Sequence, residues 1–212
     1  MPPSTPRRSP TPQERQRDPE RTRQKILDAA AVEFGAHGYA GARVRAIAAR
    51  AGVNQQLVSY YFDGKEGLYE AMSQQWRQRQ RELAPPGTPL PEQLRRYALE
   101  VLHNPEGVRV VAWDGLRQSG TRQAFQSDLL TGTAAQLRAL QQSGRLPAEL
   151  DPDCLLVMLM AATMATTTLP HVIEAVTGED ATSPDFVHHF ADQLALLARL
   201  LGLEALPPTG DG

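Results

Sequence analysis

The sequence lacks the features of membrane, secreted and zinc-cluster proteins. Its most apolar run, residues 154–165 of 212, is shorter than the roughly 18 residues that cross a membrane. The first 20 residues are rich in proline and arginine and contain no apolar core of a secretory signal. The single cysteine, Cys154, excludes an internal disulfide framework and a cysteine-cluster zinc site within one chain. We expect a cytoplasmic protein that does not enter a membrane.

Catalytic and cofactor motifs are missing as well. We find no Ser-His-Asp constellation with supporting spacing, no glycine-rich phosphate loop and no H-E-x-x-H pattern. His188 and His189 are neighbours in sequence, so on a helix they point in different directions, whereas helical metal pairs prefer i, i+4 spacing. We therefore predict no catalytic residue, no metal site and no cofactor, and we do not expect an enzyme.

The net charge of −2 hides an uneven distribution of charge. Residues 1–81 hold 14 Lys and Arg against 8 Asp and Glu, a balance of +6, whereas residues 82–212 hold 8 against 16, a balance of −8. A basic first part beside an acidic remainder predicts that the first part meets a polyanion and the second does not.

Residues 42–65, ARVRAIAARAGVNQQLVSYYFDGK, have the pattern of two short helices joined by a tight turn. We predict the helices over 44–51 and 55–62. Gly52 can take the left-handed conformation that closes the first helix, and the side chain of Asn54 can cap the second. This pattern is typical of a DNA-binding helix-turn-helix, and an ordinary αα-hairpin is the alternative.

The rest of the chain predicts helices and no strand, so the fold class is all-α with about nine helices. A first helix is expected from residue 19 or 20 to His37, and a fourth from the cap at Asp63 to about Leu83. Pro170 is expected to end or kink a later helix. The helices predicted after the fourth span residues 91–102, 106–118, 122–142 with a break or strain near Gly132, 152–169 and 184–201.

Four motifs in a fixed order carry a resemblance to a known family. They are F-x-x-x-G-Y at Phe34–Tyr39, V-R-x-I-A-x-x-A-G-V at Val44–Val53, Y-Y-F at residues 60–62 and G-K-E-x-L-Y at Gly64–Tyr69. In their combined spacing, residues 20–75 resemble the TetR family of bacterial transcriptional repressors. Residues 85–203 resemble that family in architecture only.

The resemblance implies a homodimer whose two three-helix domains enter successive major grooves of a palindromic double-stranded DNA operator. The C-terminal domain is expected to dimerise through its last two helices and to enclose a small-molecule effector, whose binding moves the connecting helix and releases DNA. The expected divisions are a disordered arm (1–19), a helix-turn-helix domain (20–66), a connecting helix (67–84), an effector-binding and dimerisation domain (85–203) and a disordered tail (204–212).

Family positions that contact bases can be carried over to this chain. Arg45 matches a position that contacts base or phosphate, and Gln55, Gln56 and Ser59 match exposed recognition-helix positions. A glutamine side chain can pair bidentately with adenine. Ser59 stands where the family usually has the first tyrosine of a pair, which shortens the reach into the groove.

Other positions match family contacts to the phosphate backbone, which set register rather than sequence. Tyr61 and Lys65 match such positions, and Tyr60 is expected to pack, with a backbone contact as the alternative. Where the family usually has small hydroxyl residues, this chain has Ala42 and Arg43. The change removes a hydroxyl that would cap the helix or contact a phosphate, and Arg43 supplies a positive charge for that contact instead. The DNA-binding set is Arg43, Arg45, Asn54, Gln55, Gln56, Ser59, Tyr60, Tyr61 and Lys65.

The last two predicted helices carry the expected dimer contacts. Residues 153–169 are apolar nearly all round, and the last helix has an apolar stripe wide enough for a core and a partner. We predict a four-helix bundle across a two-fold axis, with a monomeric core as the alternative. The predicted dimerisation residues are Leu156, Leu159, Phe186, Phe190, Leu194, Leu197 and Leu201.

An effector pocket would lie among the helices between residues 91 and 169. The candidate lining residues are His103, Trp113, Arg117, Met160, Met164 and Thr167, and for each an ordinary core or surface role is the alternative. Two functions of different classes remain open: a ligand-responsive repressor, and a DNA-binding accessory or structural protein that works without a small molecule. An apolar pocket of several hundred Å³ favours the first and a solid core favours the second.

Overall fold

A computed structural model of the protein describes residues 12–85, 87–117 and 128–204, with side chains at all of these except 12–18, 117, 128 and 129. Within these ranges the chain is helical and contains no strand, which confirms the all-α prediction. The helices are α1 Pro12–Gly41, α2 Val44–Ala51, α3 Gln55–Phe62, α4 Gly64–Leu83, α5 Leu90–His103, α6 Pro105–Arg117, α7 Asp128–Gln142, α8 Pro152–Ala162, α9 Ala165–Thr168, α10 Pro170–Thr177 and α11 Pro184–Leu200. None of the described helices is long and apolar enough to span a membrane.

Helix α1 differs from its prediction at both ends. It begins at Pro12 rather than near Pro19, because a proline at the first helical position is favourable and the Gln, Glu and Arg residues that follow are good helix formers. The backbone leaves the helical region at Gly38 (φ 63°, ψ 175°), directly after the predicted end, and helical hydrogen bonding resumes as far as Gly41. The arm prediction for residues 1–11 lies outside the described residues.

The single helix predicted over residues 152–169 is in fact broken. Helix α8 ends before Thr163, whose hydroxyl donates to the Met160 carbonyl at 2.7 Å, and Met164 has φ −100° and ψ 0°. β-Branched threonines have low helix propensity and offer such competing hydrogen bonds. Pro170 does not only end this stretch but also begins α10, a helix that was not predicted. These two differences raise the expected nine helices to eleven.

Helix α7 also differs from its prediction, because it passes Gly132 without a break. The predicted start of this helix, residues 122–127, lies outside the described ranges, as does the predicted tail from residue 205 onward. The chain divides into two compact units, Met1–Met72 and Ser73–Gly212, here called the first and second units. The division falls within α4.

The first unit is built around one apolar core, to which each of its helices contributes. The ring of Phe34 meets that of Tyr69 edge to face, with the centroids 5.0 Å apart, and Tyr39 meets Tyr69 in the same way at 5.0 Å. The buried core residues are Ile26, Leu27, Ala30, Phe34, Ile47, Ala48, Val58, Phe62, Leu68 and Met72. Because α3 contributes only its inner face to this core, its outer face stays exposed.

The second unit is organised around α5, which packs against α11, α6 and α8. Its largest core cluster contains Leu90, Leu94, Ala98, Leu137, Leu140, Leu146, Leu155, Leu156, Leu159, Ala191, Leu194, Ala198 and Leu203. A smaller cluster contains Ile173 of α10 together with Ala181 and Phe186. Many of the apolar side chains of α8 and α11 are therefore buried in the core of a single chain.

Two contacts fix the later part of α4 within the second unit. Glu100 of α5 is 2% exposed and accepts hydrogen bonds from Arg79 at 3.0 and 3.2 Å, and these bonds raise the pKa of Arg79. Gly107 of α6 lies so close to Trp76 that a Cβ atom there would be 2.5 Å from Cζ3 of the indole. The ion pair between Arg79 and Glu100 thus joins α4 to α5, and the close contact of Trp76 with Gly107 joins α4 to α6.

Candidate nucleic-acid interface

The turn between α2 and α3 is formed as the sequence predicted. Gly52 adopts the left-handed conformation (φ 69°, ψ 32°) that ends α2. The side-chain oxygen of Asn54 accepts the backbone N–H of Leu57 at 2.8 Å and caps α3. On the inner face of α3, Val58 is 0% and Phe62 is 6% exposed. The local sequence thereby determines which side of α3 faces outward.

The outer face of α3 is polar and uncharged. Gln55, Gln56, Ser59 and Tyr60 are all exposed, and the first three line, with Asn54, an open depression of about 480 Å³. In the part of the chain that the structure describes, neither glutamine amide makes a hydrogen bond to protein. This face therefore offers amide and hydroxyl groups that are available for hydrogen bonding to an outside partner.

Tyr60 does not pack into the core, contrary to its prediction. Tyr60 is 81% exposed. Its ring contacts the ring of Tyr61 edge to face, with the centroids 5.4 Å apart and the planes at 81°. Core burial on α3 is already supplied by Val58 and Phe62, which leaves Tyr60 on the outer face. Tyr61 is half-buried between Tyr60 and Phe62.

Three arginines in or directly before α2 are exposed. Arg43, Arg45 and Arg50 are exposed, and none forms an ion pair with another residue of the described ranges. The first unit thus exposes three guanidinium groups at α2, the helix that precedes α3. An arginine fork suits phosphate oxygens and guanine edges.

A buried carboxylate compensates for the missing hydroxyl cap of α2. Arg43 occupies the N-cap position without a side-chain cap, and its backbone N–H donates instead to Oε1 of Glu33 at 3.1 Å. Glu33 is 6% exposed and lies on α1, while Ala42 is 3% exposed and packs inward. The bond to Glu33 therefore holds the start of α2, although residues 42 and 43 differ from the usual residues of the family. The side chain of Arg43 remains exposed. Glu33 was not predicted, although an acidic residue within the apolar pattern of α1 was a signal.

The junction of α3 and α4 places Lys65 and contains an unpredicted glycine. Asp63 and Gly64 have positive φ, 55° and 92°, so the chain turns sharply into α4. Lys65 donates to the Ala40 carbonyl at 3.3 Å, and its ammonium lies 4.8 Å from the centre of the Tyr39 ring. Lys65 therefore ties α4 to the end of α1.

Gly67 lies at the point of closest approach in this junction. A Cβ atom on Gly67 would lie 1.9 Å from the Phe62 carbonyl oxygen and 3.0 Å from the Phe62 carbonyl carbon. Both are backbone atoms and cannot rotate away. The first turn of α4 can pack against the end of α3 only because this residue has no side chain. No local pattern pointed to Gly67, because its constraint comes from a contact five residues away.

The predicted effector residues lie in varied settings of the second unit. His103 is exposed at the end of α5, Trp113 is 37% exposed on α6, and the Arg117 side chain lies outside the described residues. Met160 and Met164 are half-buried. Within the described ranges, no three His, Cys, Asp or Glu side chains are grouped in a way that could hold a metal ion.

Two buried hydroxyl groups on α9 have no hydrogen-bond partner among the residues that the structure describes. The Oγ1 atoms of Thr166 and Thr167 are both enclosed, and Thr166 as a whole is 3% exposed. Their neighbour Thr168 donates instead to the Met164 carbonyl at 2.9 Å. Because a buried polar group without a partner is costly, such groups mark places where a further partner can bind. The sequence analysis named Thr167 as a candidate lining residue, but which hydroxyls lack partners depends on contacts that the sequence does not show.

Most of the predicted dimerisation residues belong to the core of a single chain. Leu156, Leu159, Phe186 and Leu194 are 3–6% exposed, so the prediction that they face a partner is wrong. Phe190 and Leu201 are half-buried and pack on the same clusters, whereas Leu197 is 48% exposed. Apolar side chains on the opposite faces of α8 and α11 are exposed instead, namely Val157, Met158, Leu196, Leu197 and Leu200.

Comparisons with known proteins cover both units. A family model described as bacterial regulatory proteins, tetR family, matches residues 26–72, and one described as Tetracyclin repressor-like, C-terminal domain, matches residues 90–191. The HTH-type transcriptional regulator RutR of Escherichia coli is 31% identical over 168 residues, covering 72% of this chain and 77% of RutR. The HTH-type transcriptional repressor SCO4008 of Streptomyces coelicolor is 28% identical over 170 residues, covering 76% of this chain and 86% of SCO4008.

Solved structures show the same fold. The crystal structure of a transcriptional regulator, SCO4942, from Streptomyces coelicolor superposes with a TM-score of 0.65 at 25% identity, over 83% of this chain and 97% of that one. HlyIIR, a hemolysin II transcriptional regulator, superposes with a TM-score of 0.57 at 20% identity, over 84% of this chain and 98% of HlyIIR. These relatives share one architecture, a helix-turn-helix unit followed by a helical unit.

Proposed function

The chain belongs to the TetR family of bacterial regulatory proteins, and from this we propose that it is a homodimeric repressor that a small molecule releases from a palindromic operator. It is a DNA-binding transcriptional regulator, and we propose no catalytic role for it. One observation carries the proposal for the DNA side. The amides of Gln55 and Gln56 on α3 and the guanidinium groups of three arginines at α2 are exposed, and among the described residues they make no hydrogen bond or ion pair.

The proposed DNA contacts follow from the shapes of these two helices. The major groove, about 12 Å wide, admits a helix, and the first residues of a recognition helix contact base edges. Gln55, Gln56 and Ser59 would face the bases, Arg43 would lie along the phosphates, and Arg45 would contact a base edge or a phosphate. Phosphate contacts supply affinity and register, and base contacts supply sequence preference.

The proposed dimer uses the exposed apolar faces of the last long helices. Val157 and Met158 of α8 are 68% and 60% exposed, and Leu197 and Leu200 of α11 are 48% and 77% exposed. A two-fold axis would bring each face against its own copy, which is the usual geometry of a homodimer. A dimer would also set the two recognition helices at the spacing of successive major grooves, about 34 Å.

The unpartnered hydroxyls of α9 favour the ligand-responsive repressor over an accessory protein without an effector. Thr166 and Thr167 lie on a four-residue helix that packs between α6 and α10. A bound small molecule with a hydrogen-bonding group would give these hydroxyls the partner they lack. We propose that the effector binds in the second unit with α9 as one wall of its site.

Replacing Thr166 by valine should stabilise the ligand-free protein. The substitution keeps the shape and removes a buried hydroxyl without a partner, which costs about 1–3 kcal/mol when enclosed. We expect the midpoint of thermal unfolding to rise by roughly 2–12 °C for a chain of this size. The matched control is Thr163→Val, which removes an equally buried hydroxyl that donates to Met160 at 2.7 Å and should be destabilising. An unchanged or lower midpoint for Thr166→Val would show that this hydroxyl has a partner in solution.

Replacing Arg43 by glutamine should weaken binding equally on all DNA sequences. If Arg43 contacts a phosphate, the plot of log affinity against log salt should lose about one unit of slope per protomer, hence about two for a dimer. The measurement is fluorescence anisotropy on operator and random DNA from about 50 to 200 mM salt. Arg109→Gln, an equally polar change on α6 in the second unit, should leave the slope unchanged. A loss confined to the operator would instead assign Arg43 to base contacts.

The experiment that tests the proposed function is selection of bound sequences from a random double-stranded DNA library by the purified full-length protein. A ligand-responsive repressor should enrich an inverted repeat, and small molecules screened against that complex should include some that release it. An accessory protein would bind the library without enriching a sequence. Release by no compound in a broad metabolite screen, with an enriched repeat, would favour a regulator without an effector.

A further inference from the structure

The three amide side chains at the start of α3 fall into two groups. The oxygen of Asn54 already accepts the Leu57 N–H at 2.8 Å as the helix cap. Gln55 and Gln56, the next two residues, are exposed, and across the described ranges their amides make no hydrogen bond within the protein. The two glutamines therefore keep their whole carboxamide groups for an outside partner, whereas the Asn54 oxygen is held in place by the helix cap.

The base edges in the major groove differ in what they require. Adenine presents an acceptor at N7 beside a donor at N6, so a carboxamide can pair with both atoms at once. Guanine presents two acceptors, which suit arginine or lysine, and cytosine presents a donor, which suits a carboxylate. The sequence of α3, QQLVSYYF, contains no basic and no acidic residue. Among the bidentate pairings, α3 therefore offers only the one that fits adenine.

Tyr60 adds an apolar group beside this amide pair. It lies one turn after Gln56 on the same exposed face, and its side chain is 81% exposed. The thymine paired with an adenine carries a methyl group in the major groove, which apolar side chains contact. An exposed ring next to two glutamines is consistent with a face that meets A·T base pairs.

We infer that each operator half-site presents adenine in the major groove to Gln55 and Gln56, and that α3 makes no bidentate contact to guanine. The inference rests on the proposed function, since it concerns the sequence that the proposed dimer binds. Any guanine that matters for affinity is then contacted by Arg45 or another exposed arginine of α2.

The test begins with the repeat selected from the random library by the full-length protein. Changing the contacted adenine pairs to guanine pairs should weaken wild-type binding by about 5- to 150-fold, the range of a good bidentate contact. Replacing those adenines by 7-deazaadenine removes only the N7 acceptor and should cause a smaller, still several-fold, loss. The double variant Gln55→Ala/Gln56→Ala should bind the 7-deazaadenine and normal sites equally, and each single variant should lose only part of the difference.

Two further variants sharpen the test. Asn54→Ser keeps a helix cap and removes the third amide, so it should retain the full sensitivity to 7-deazaadenine. Gln55→Arg should shift the selected base from adenine toward guanine. A repeat whose affinity is unaffected by 7-deazaadenine at every position would overturn the inference while leaving a sequence-specific regulator in place. A library that yields no enriched sequence would overturn the inference together with the proposed function.

Discussion

Replacing both Leu197 and Leu200 by glutamate should convert the protein to a monomer and lower its operator affinity by at least about 100-fold. The two leucines are 48% and 77% exposed on α11, so the substitutions leave the core of one chain intact. Burying a leucine in an interface contributes about 1.5–3 kcal/mol, and the two-fold axis would double every loss. Four carboxylates would also face each other across the former contact, which adds repulsion.

The large effect on DNA follows from the loss of linkage between two half-site contacts. Joining two binding units raises affinity by about 10² to 10⁴ without any new contact. The oligomeric state can be measured by sedimentation equilibrium, and affinity by anisotropy on the full operator and on a single half-site. Half-site affinity should be unchanged, because the first unit is untouched.

A matched control distinguishes the interface from general surface hydrophobicity. Leu116 on α6 is 76% exposed, as much as Leu200, but lies on neither proposed dimer face. Leu116→Glu should remain dimeric and bind the operator normally. A Leu197/Leu200 variant that is still a dimer would move the interface elsewhere, with the exposed Val172 and Val176 of α10 as the next surface to test.

Replacing Gly67 by alanine should abolish operator binding by distorting the junction of α3 and α4. The added Cβ would lie 1.9 Å from the Phe62 carbonyl oxygen, a distance at which the backbone must move. Asp63 and Gly64 already have positive φ, 55° and 92°, so the turn has little freedom to adjust. Overpacking a tight site costs typically 1–3 kcal/mol, and we expect about 3 kcal/mol because backbone is involved. Since α3 ends at this junction, its outer face would shift as well.

The measurements for Gly67→Ala are thermal unfolding by circular dichroism, amide hydrogen exchange of residues 44–72 and operator binding. Gly115→Ala is the matched control, because Gly115 lies within α6 and a Cβ there would meet no atom of the described residues within 4 Å. Removing an unneeded helical glycine should stabilise the protein by up to about 1 kcal/mol. Wild-type stability and binding in Gly67→Ala would mean that α4 can move away from Phe62 at little cost.

The parts of the fold that the sequence predicted correctly depend on local signals. Gly52 and Asn54 end and begin helices through their own backbone and side-chain geometry, so the α2–α3 turn could be derived from a few neighbouring residues. Helical spacing of apolar residues placed α5 and α11 in the same way. The family resemblance, with the pairing chemistry of glutamine as a physical reason, identified Gln55 and Gln56 as exposed candidates on α3.

The errors arise where the outcome depends on contacts between distant residues. Helix α8 is apolar nearly all round, so its sequence could not tell Leu156, which packs inside one chain, from Val157, which is exposed. The pattern showed that α11 has a wide apolar stripe but not which edge meets the core. Glu33 and Gly67 matter through the Arg43 amide and the Phe62 carbonyl, and no local pattern encodes either contact. The break at Thr163 lies inside a continuous apolar run, which conceals it.

The anchoring of α4 has a consequence for recombining this regulator with its relatives. From Trp76 onward, α4 is tied to α6 at Gly107 and to α5 through Arg79 and the buried Glu100. A chimera that joined another relative's chain after Leu83 would separate Glu100 from its arginine and leave a carboxylate without its counter-charge in an apolar core. A crossover at the division between Met72 and Ser73 keeps those contacts together. Exchanging second units between such regulators should therefore succeed when the later part of α4 is inherited with the second unit, not with the first.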